Sequence, residues 1–111
     1  MSKRDAKLYI EGIKNAIEKI ARYTDEMSFG DFANDEKTFD AVIWNVIVIG
    51  EAITNIPEDI KGEYPGAPLN EMVNMHNKMI HEYFEANDNT VWEAIKKDIP
   101  KLKEQIEKIV L

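Results

Sequence analysis

The stretch that decides the fold runs from Glu36 to Asn55 and reads EKTFDAVIWNVIVIGEAITN. Its apolar residues continue through Gly50-Glu51 at three- and four-residue steps, which predicts a helix. A β-branched run of this kind also fits a buried strand, but the sequence offers no partner strand elsewhere. Because the centre has little polar surface, we expect burial on more than one side, within a bundle or between a bundle and a dimer partner.

Helical periodicity continues on both sides of this stretch. The segment before it has one apolar stripe, formed by Ala6, Ile10, Ile13, Ile17 and Ile20. The pattern breaks around 27–31, and Asn34 or Asp35 is expected to cap the helix that follows. Prolines and glycines between 57 and 68 indicate a connector with one short helical turn.

Two further helices are predicted after this connector. The first covers about 69–84, and the second begins near Thr90, after a turn and N-cap at 87–89. Pro100 should bend or restart the second one, because proline lacks a backbone donor. The pattern therefore predicts an all-α fold, an up-and-down bundle of four or five helices, in a single domain over residues 1–111.

Composition narrows the functional classes. The 111 residues include no cysteine, which excludes disulfides, thiolate metal sites and a cysteine nucleophile. The net charge is -7, with 21 acidic and 14 basic residues, and no basic stripe suits a nucleic acid. The longest apolar run, 41–49, is shorter than the ~18 residues that a membrane span needs. The N-terminus lacks the apolar stretch of a signal peptide, so a cytoplasmic protein without a membrane partner is expected.

Both histidines lie in the segment 76–84, HNKMIHEYF. On a helix His76 falls on an apolar arc, whereas Asn77 and His81 share a polar stripe. Either histidine has an ordinary structural explanation, as a core residue or a surface residue. Their five-residue spacing places them about 140° apart on one helix, so they cannot share a metal ion, and no metal site is predicted.

The same segment resembles the HepT-like branch of the HEPN superfamily. There an arginine, four residues, a histidine, one residue and a tyrosine stand near the end of the third long helix. Other parts of the chain follow the family in order and spacing, and together they are specific: Arg4-Asp5, Asp40-Ala41-Val42, Ile49-Gly50-Glu51-Ala52, Tyr64-Pro65, Val91-Trp92 and Asp98-Ile99-Pro100.

The resemblance implies a HEPN-type homodimer, or a larger assembly, that cleaves RNA without metal in a cleft shared by two chains. It implies the toxin of a type VII toxin–antitoxin system. His81 would act as acid or base and Asn77 would position the substrate, with Asn45 and Glu51 as further cleft candidates. A cognate minimal nucleotidyltransferase antitoxin would use ATP to AMPylate Tyr83. The chain itself would need no cofactor.

The chain also departs from the family. His76 stands at the position of the arginine, which replaces a permanent cation by a group only partly charged at neutral pH. Trp44 and Ile47 stand where relatives often carry an arginine and a glutamate, and Leu69 replaces a frequent tryptophan. Three interpretations remain open: a ribonuclease of weakened activity, a catalytically degenerate HEPN dimer that binds its nucleotidyltransferase, and an unrelated helical bundle.

Overall fold

The computed structural model describes residues 3–62, 73–74, 77 and 87–108. All elements within these residues are helical, and none is a strand, which confirms the all-α class for this part of the chain. The helices are α1 (Lys3–Tyr23), α2 (Phe29–Ala33), α3 (Glu36–Thr54), α4 (Glu58–Gly62), α5 (Asp88–Glu93) and α6 (Ile99–Ile106), with a π-helical turn at Ala94–Asp98.

The core forms where α1 packs along α3 and the C-terminal helices close over them. The predicted stripe of α1 is confirmed, since each of its five members is at most 3% exposed. Burying one isoleucine side chain in full stabilises the fold by about 1.5–3 kcal/mol. The remaining core side chains come mainly from α3, α5 and α6: Val42, Ile43, Val46, Ile49, Ile53, Val91, Ile99, Leu102 and Ile106.

A short helix, α2, lies in the segment where the sequence shows only a break in periodicity. A capping box starts it: the Asp31 amide donates to the Ser28 hydroxyl, and the Ser28 amide donates to the Asp31 carboxylate, both at 3.1 Å. Its five residues are too few to display a helical period. The helix inserts the fully buried Phe32 ring between Phe39 and Trp92, at centroid distances of 5.7 and 5.2 Å.

Two predicted helix starts can be compared with the structure. Asp35 caps α3, because its carboxylate accepts hydrogen bonds from the amide and the hydroxyl of Thr38, at 3.0 and 2.8 Å. The amide oxygen of Asn87 accepts from the amides of Asn89 and Thr90, at 2.8 and 3.3 Å. Helix α5 therefore begins at Asp88, slightly before the predicted start.

The cap at Asp35 makes the stability of α3 depend on pH. The hydrogen bonds from Thr38 lower the pKa of Asp35 below its usual value. The stabilisation is therefore fully present above the pKa that Asp35 has in the unfolded chain. It is lost as the pH falls through the lower pKa that Asp35 has in the folded protein. We expect Asp35→Asn to lower the melting temperature at pH 6 and to match the wild type near pH 2.

Thermal unfolding followed by circular dichroism between pH 2 and 7 measures this difference. Asp40→Asn removes an exposed carboxylate inside the same helix and leaves the cap intact, so it serves as the matched control. A difference between Asp35→Asn and the wild type that stays constant over the whole range would contradict the assignment.

The restart predicted at Pro100 is confirmed and takes the form of a wide turn. The Ile99 amide donates to the Ala94 carbonyl, five residues back, and Pro100 then lies in the first turn of α6. Proline is tolerated there because the first amides of a helix have no intrahelical partner. Ile95 and Ile99 stay buried on either side of this turn, so the helix changes register without leaving the core.

Of the helix predicted over 69–84, the structure describes Val73, Asn74 and Asn77, and all three have helical backbone. The rest of that helix lies outside the described residues. None of the described helices combines the length and the apolarity that crossing a bilayer requires.

Candidate functional site

An open groove of about 330 Å³ lies between α1 and α3. We call it the α1/α3 groove. Helix α3 is apolar around most of its circumference, as its sequence predicts, and α1 covers only one side of it. Trp44 is therefore left 65% exposed and Leu8 of α1 60% exposed. The lining residues are Leu8, Tyr9, Gly12, Trp44, Ile47, Val48, Glu51 and Ala52.

Gly12 keeps the floor of this groove open. A Cβ atom built on Gly12 would meet no atom of the described residues within 4 Å, so none of these residues fills the space above it. Glycine inside a helix destabilises it by about 1 kcal/mol relative to alanine. No packing contact within the described part of the chain requires a glycine at this position.

The two cleft candidates on α3 differ in their surroundings. Asn45 is only 5% exposed, and its amide nitrogen donates to the Ala41 carbonyl of the preceding turn at 2.8 Å. Glu51 is exposed and lines the α1/α3 groove, and it takes part in at least one further interaction. Six residues on a helix separate two side chains by about 120°. Of the two, only Glu51 lines the groove.

The remaining predicted site residues lie on the segment 76–84. Asn77 is exposed on helical backbone, as predicted for the polar stripe, and it takes part in at least one interaction. His76, His81 and Tyr83 lie outside the described residues. The roles expected for them therefore stay predictions: His81 as acid or base, His76 at the position of the family arginine, and Tyr83 as the modified residue.

The charges of the α1/α3 groove decide what it can do chemically. Glu51 is the one charged side chain among the described residues that line the groove, so these residues offer a phosphate no cation. Trp44, Ile47 and Leu8 instead offer apolar and aromatic surface. Among the described residues no group of three or more histidine, aspartate or glutamate side chains is placed to hold a metal ion. The groove is therefore suited to an apolar or planar group.

Sequence reasoning did not assign the residues that α1 contributes to this groove. Leu8 follows Lys7 and lies off the apolar stripe of its helix, which is a signal that the sequence does carry. An isolated apolar residue on a polar face is common, however, and needs no functional explanation. Only the crossing of α1 over α3 shows that Leu8, Tyr9 and Gly12 lie beside Trp44.

The sequence of this chain is similar to a known protein family and to several named proteins. The family model described as "Ribonuclease HepT-like" matches residues 13–109. A protein of Thermococcus cleftensis named "probable ribonuclease HepT" is 46% identical over 107 residues, 96% of this chain and 97% of the relative. A protein of Methanocaldococcus jannaschii named "putative RNase" is 40% identical over 110 residues, 99% and 95% of the two chains. Among solved structures none is a significant match. On the family model and these two relatives, the chain belongs to the HepT-like ribonuclease family.

Proposed function

We propose that this protein is a metal-independent endoribonuclease and the toxin of a type VII toxin–antitoxin system, neutralised by AMPylation of Tyr83. The observation that carries the proposal is the match of residues 13–109 to the family of HepT-like ribonucleases. The histidine and tyrosine of the family motif are both present in this chain, as His81 and Tyr83.

The proposed cleavage is a transesterification within the RNA. A base takes the proton of a 2′-hydroxyl, the 2′-oxygen attacks the adjacent phosphorus, and the 5′-oxygen leaves with a proton from an acid. The products are a 2′,3′-cyclic phosphate and a 5′-hydroxyl. Histidine suits both proton transfers because it titrates near neutral pH. His81 is the proposed acid or base, and Asn77 is the proposed positioning residue.

A homodimer completes this chemistry. One cleavage needs a base and an acid, and a single chain supplies only one His81. Two chains that meet at their motifs would supply two, one for each proton transfer. The chain is acidic overall, with a net charge of -7, so cations for the phosphate must come from the cleft itself. His76, in its protonated form, is the candidate cation at the position of the family arginine.

The proposed regulation acts on the phenol beside His81. A cognate nucleotidyltransferase would bind ATP, the Tyr83 oxygen would attack the α-phosphorus, and pyrophosphate would leave as the phenol loses its proton. The AMP group adds negative charge and bulk two residues from His81. Both effects would keep an RNA phosphate out of the cleft.

The direct test uses the purified chain, single-stranded RNA and EDTA. We expect cleavage in EDTA with 2′,3′-cyclic phosphate ends, and loss of this cleavage after incubation with the cognate nucleotidyltransferase and ATP. Mass spectrometry should then locate one AMP on the peptide that contains Tyr83. Cleavage that requires added metal, or ends other than cyclic phosphate, would reject the proposed chemistry.

A degenerate dimer that only binds its nucleotidyltransferase is the second candidate function. It is favoured by His76 in place of arginine and by the apolar Trp44 and Ile47 at positions that are often charged in relatives. This candidate predicts a stable complex with the nucleotidyltransferase and no RNA cleavage by the chain at any concentration.

Restoring the arginine separates the two candidates. His76→Arg places a permanent cation, able to contact two phosphate oxygens at once, at the position where the family has one. Losing one such donor typically costs about 10²–10³ in rate, and protonated histidine recovers part of it. We therefore expect a rise of about tenfold or more in cleavage rate, measured on labelled RNA in EDTA. His76→Gln should show no rise, and an inactive His76→Arg would favour the degenerate dimer.

A further inference from the structure

Trp44 is the most exposed large apolar side chain of the described residues, and its environment differs from an ordinary surface position. The indole is 65% exposed and borders the α1/α3 groove beside Ile47. The adjoining part of α1 leaves this groove open at Gly12. A large aromatic side chain normally stabilises a protein by being buried, and an indole that is exposed to water does not provide this stabilisation.

The size of the groove favours a small occupant over a protein. A stable protein interface buries about 800 Å² on each partner. The two strongly exposed side chains of the groove are Trp44 and Leu8, and a large aromatic residue buries about 150–250 Å² in full. The exposed surface of these two side chains alone is smaller than the area that one partner contributes to a protein interface, so a protein occupant would need contacts outside the groove. A volume of about 330 Å³ instead lies at the lower end of the range for small-molecule sites.

The position of the groove connects it with the proposed substrate. Glu51, a candidate cleft residue, lines the groove, and Trp44 directly precedes Asn45, the other candidate on α3. RNA brings planar aromatic groups to such a cleft, and single-stranded RNA can turn them outward to stack on aromatic side chains. The described residues that line the groove offer no cation to the RNA backbone, so stacking is the contact that they can provide.

We propose that Trp44 is a stacking platform that holds one unpaired base of a single-stranded RNA in the α1/α3 groove. This inference rests on the proposed function, because it assumes that RNA enters the cleft beside Glu51. Stacking on an indole does not depend on the hydrogen-bonding edges of a base, so the platform accepts any base. It positions the strand without taking part in proton transfer, which makes Trp44 a substrate-binding residue.

Intrinsic fluorescence tests this proposal, because Trp44 and Trp92 are the two tryptophans of the sequence. The probe is a single-stranded 2′-O-methyl RNA oligonucleotide, whose blocked 2′-oxygen prevents cleavage during the measurement. We expect the oligonucleotide to quench the emission of Trp92→Phe, in which Trp44 is the sole reporter. It should leave the emission of Trp44→Phe, in which Trp92 reports, unchanged.

Affinity measured by anisotropy of a labelled oligonucleotide provides the second readout. Trp44→Phe keeps an aromatic face and should bind nearly as the wild type does, whereas Trp44→Leu should bind about fivefold to a hundredfold more weakly. This ratio should be the same at low and high salt, since stacking releases no counterions. Phe29→Leu removes another exposed ring, 37% exposed and outside the groove, and should leave the affinity unchanged.

Three results would overturn the inference: unquenched Trp44, wild-type affinity in Trp44→Leu, or a blue shift of Trp44 emission that follows protein concentration and resists the oligonucleotide. The last result would mean that a second copy covers the groove. Cleavage of unmodified RNA, assayed in parallel, separates the two proposals. Cleavage with an unresponsive Trp44 retains the ribonuclease and removes the platform, whereas quenching without cleavage retains the platform and removes the ribonuclease.

Discussion

Replacing His81 with alanine is expected to lower the rate of RNA cleavage by about 10²–10⁴-fold, because alanine can neither take nor supply the proton that the reaction moves. If each chain of a dimer supplies one His81, the substitution removes both the base and the acid. The loss then lies toward the upper end of this range. RNA binding should change little, since histidine contributes one side chain among several in the cleft.

Single-turnover cleavage of labelled RNA in EDTA measures this loss, and anisotropy with the 2′-O-methyl oligonucleotide measures binding separately. Lys101→Ala, on the exposed surface of α6, is the matched control and should cleave like the wild type. Circular dichroism should show that both variants are folded. A fully active His81→Ala variant would remove this residue from the mechanism and, with it, the proposed chemistry of the cleft.

Replacing Phe32 with alanine is expected to destabilise the fold by about 3–5 kcal/mol. The ring is fully buried between Phe39 and Trp92, and its removal leaves a cavity among side chains of α2, α3 and α5. A domain of this size is typically stable by about 5–15 kcal/mol, so the loss is a large share of the total. The phenyl ring joins three elements at once, which is why a single substitution has this effect.

Urea unfolding monitored by circular dichroism gives the free energy difference. Phe29→Ala is the control from the same short helix: its ring is 37% exposed and contacts Trp92 edge-on at 6.2 Å. An aromatic pair contributes about 0.5–1.5 kcal/mol beyond burial, and the Phe29 ring is also partly buried, so this variant should lose about 2 kcal/mol, less than Phe32→Ala. Equal losses in Phe29→Ala and Phe32→Ala would mean that α2 does not anchor the core through Phe32.

The helices of this protein follow from local patterns that the sequence carries. A helix buries the same face every 3.6 residues, so the isoleucine stripe of α1 and the apolar stretch of α3 indicate their own conformation. Caps are local too, since the Asp35 carboxylate bonds to Thr38 three residues away. Helix α2 was not predicted, because its five residues form less than two turns and therefore show no helical periodicity. The family is identified by the order and spacing of the motif 76–84 together with the matching stretches along the rest of the chain, which require no coordinates.

The surroundings of α3 could not be predicted in the same way. The sequence of α3 indicates a helix that is apolar on nearly all sides, but it does not indicate which side another helix covers. That choice depends on how α1 crosses α3, a contact between residues some thirty to forty positions apart in the chain. The crossing buries Ile49 and leaves Trp44 in solvent. The sequence alone determined the long helices α1 and α3, the family and the candidate His81, because these depend on the periodicity, order and spacing of residues along the chain. Only the tertiary structure decided that Leu8, Gly12 and Trp44 form one groove, because the side chains of two helices define its walls.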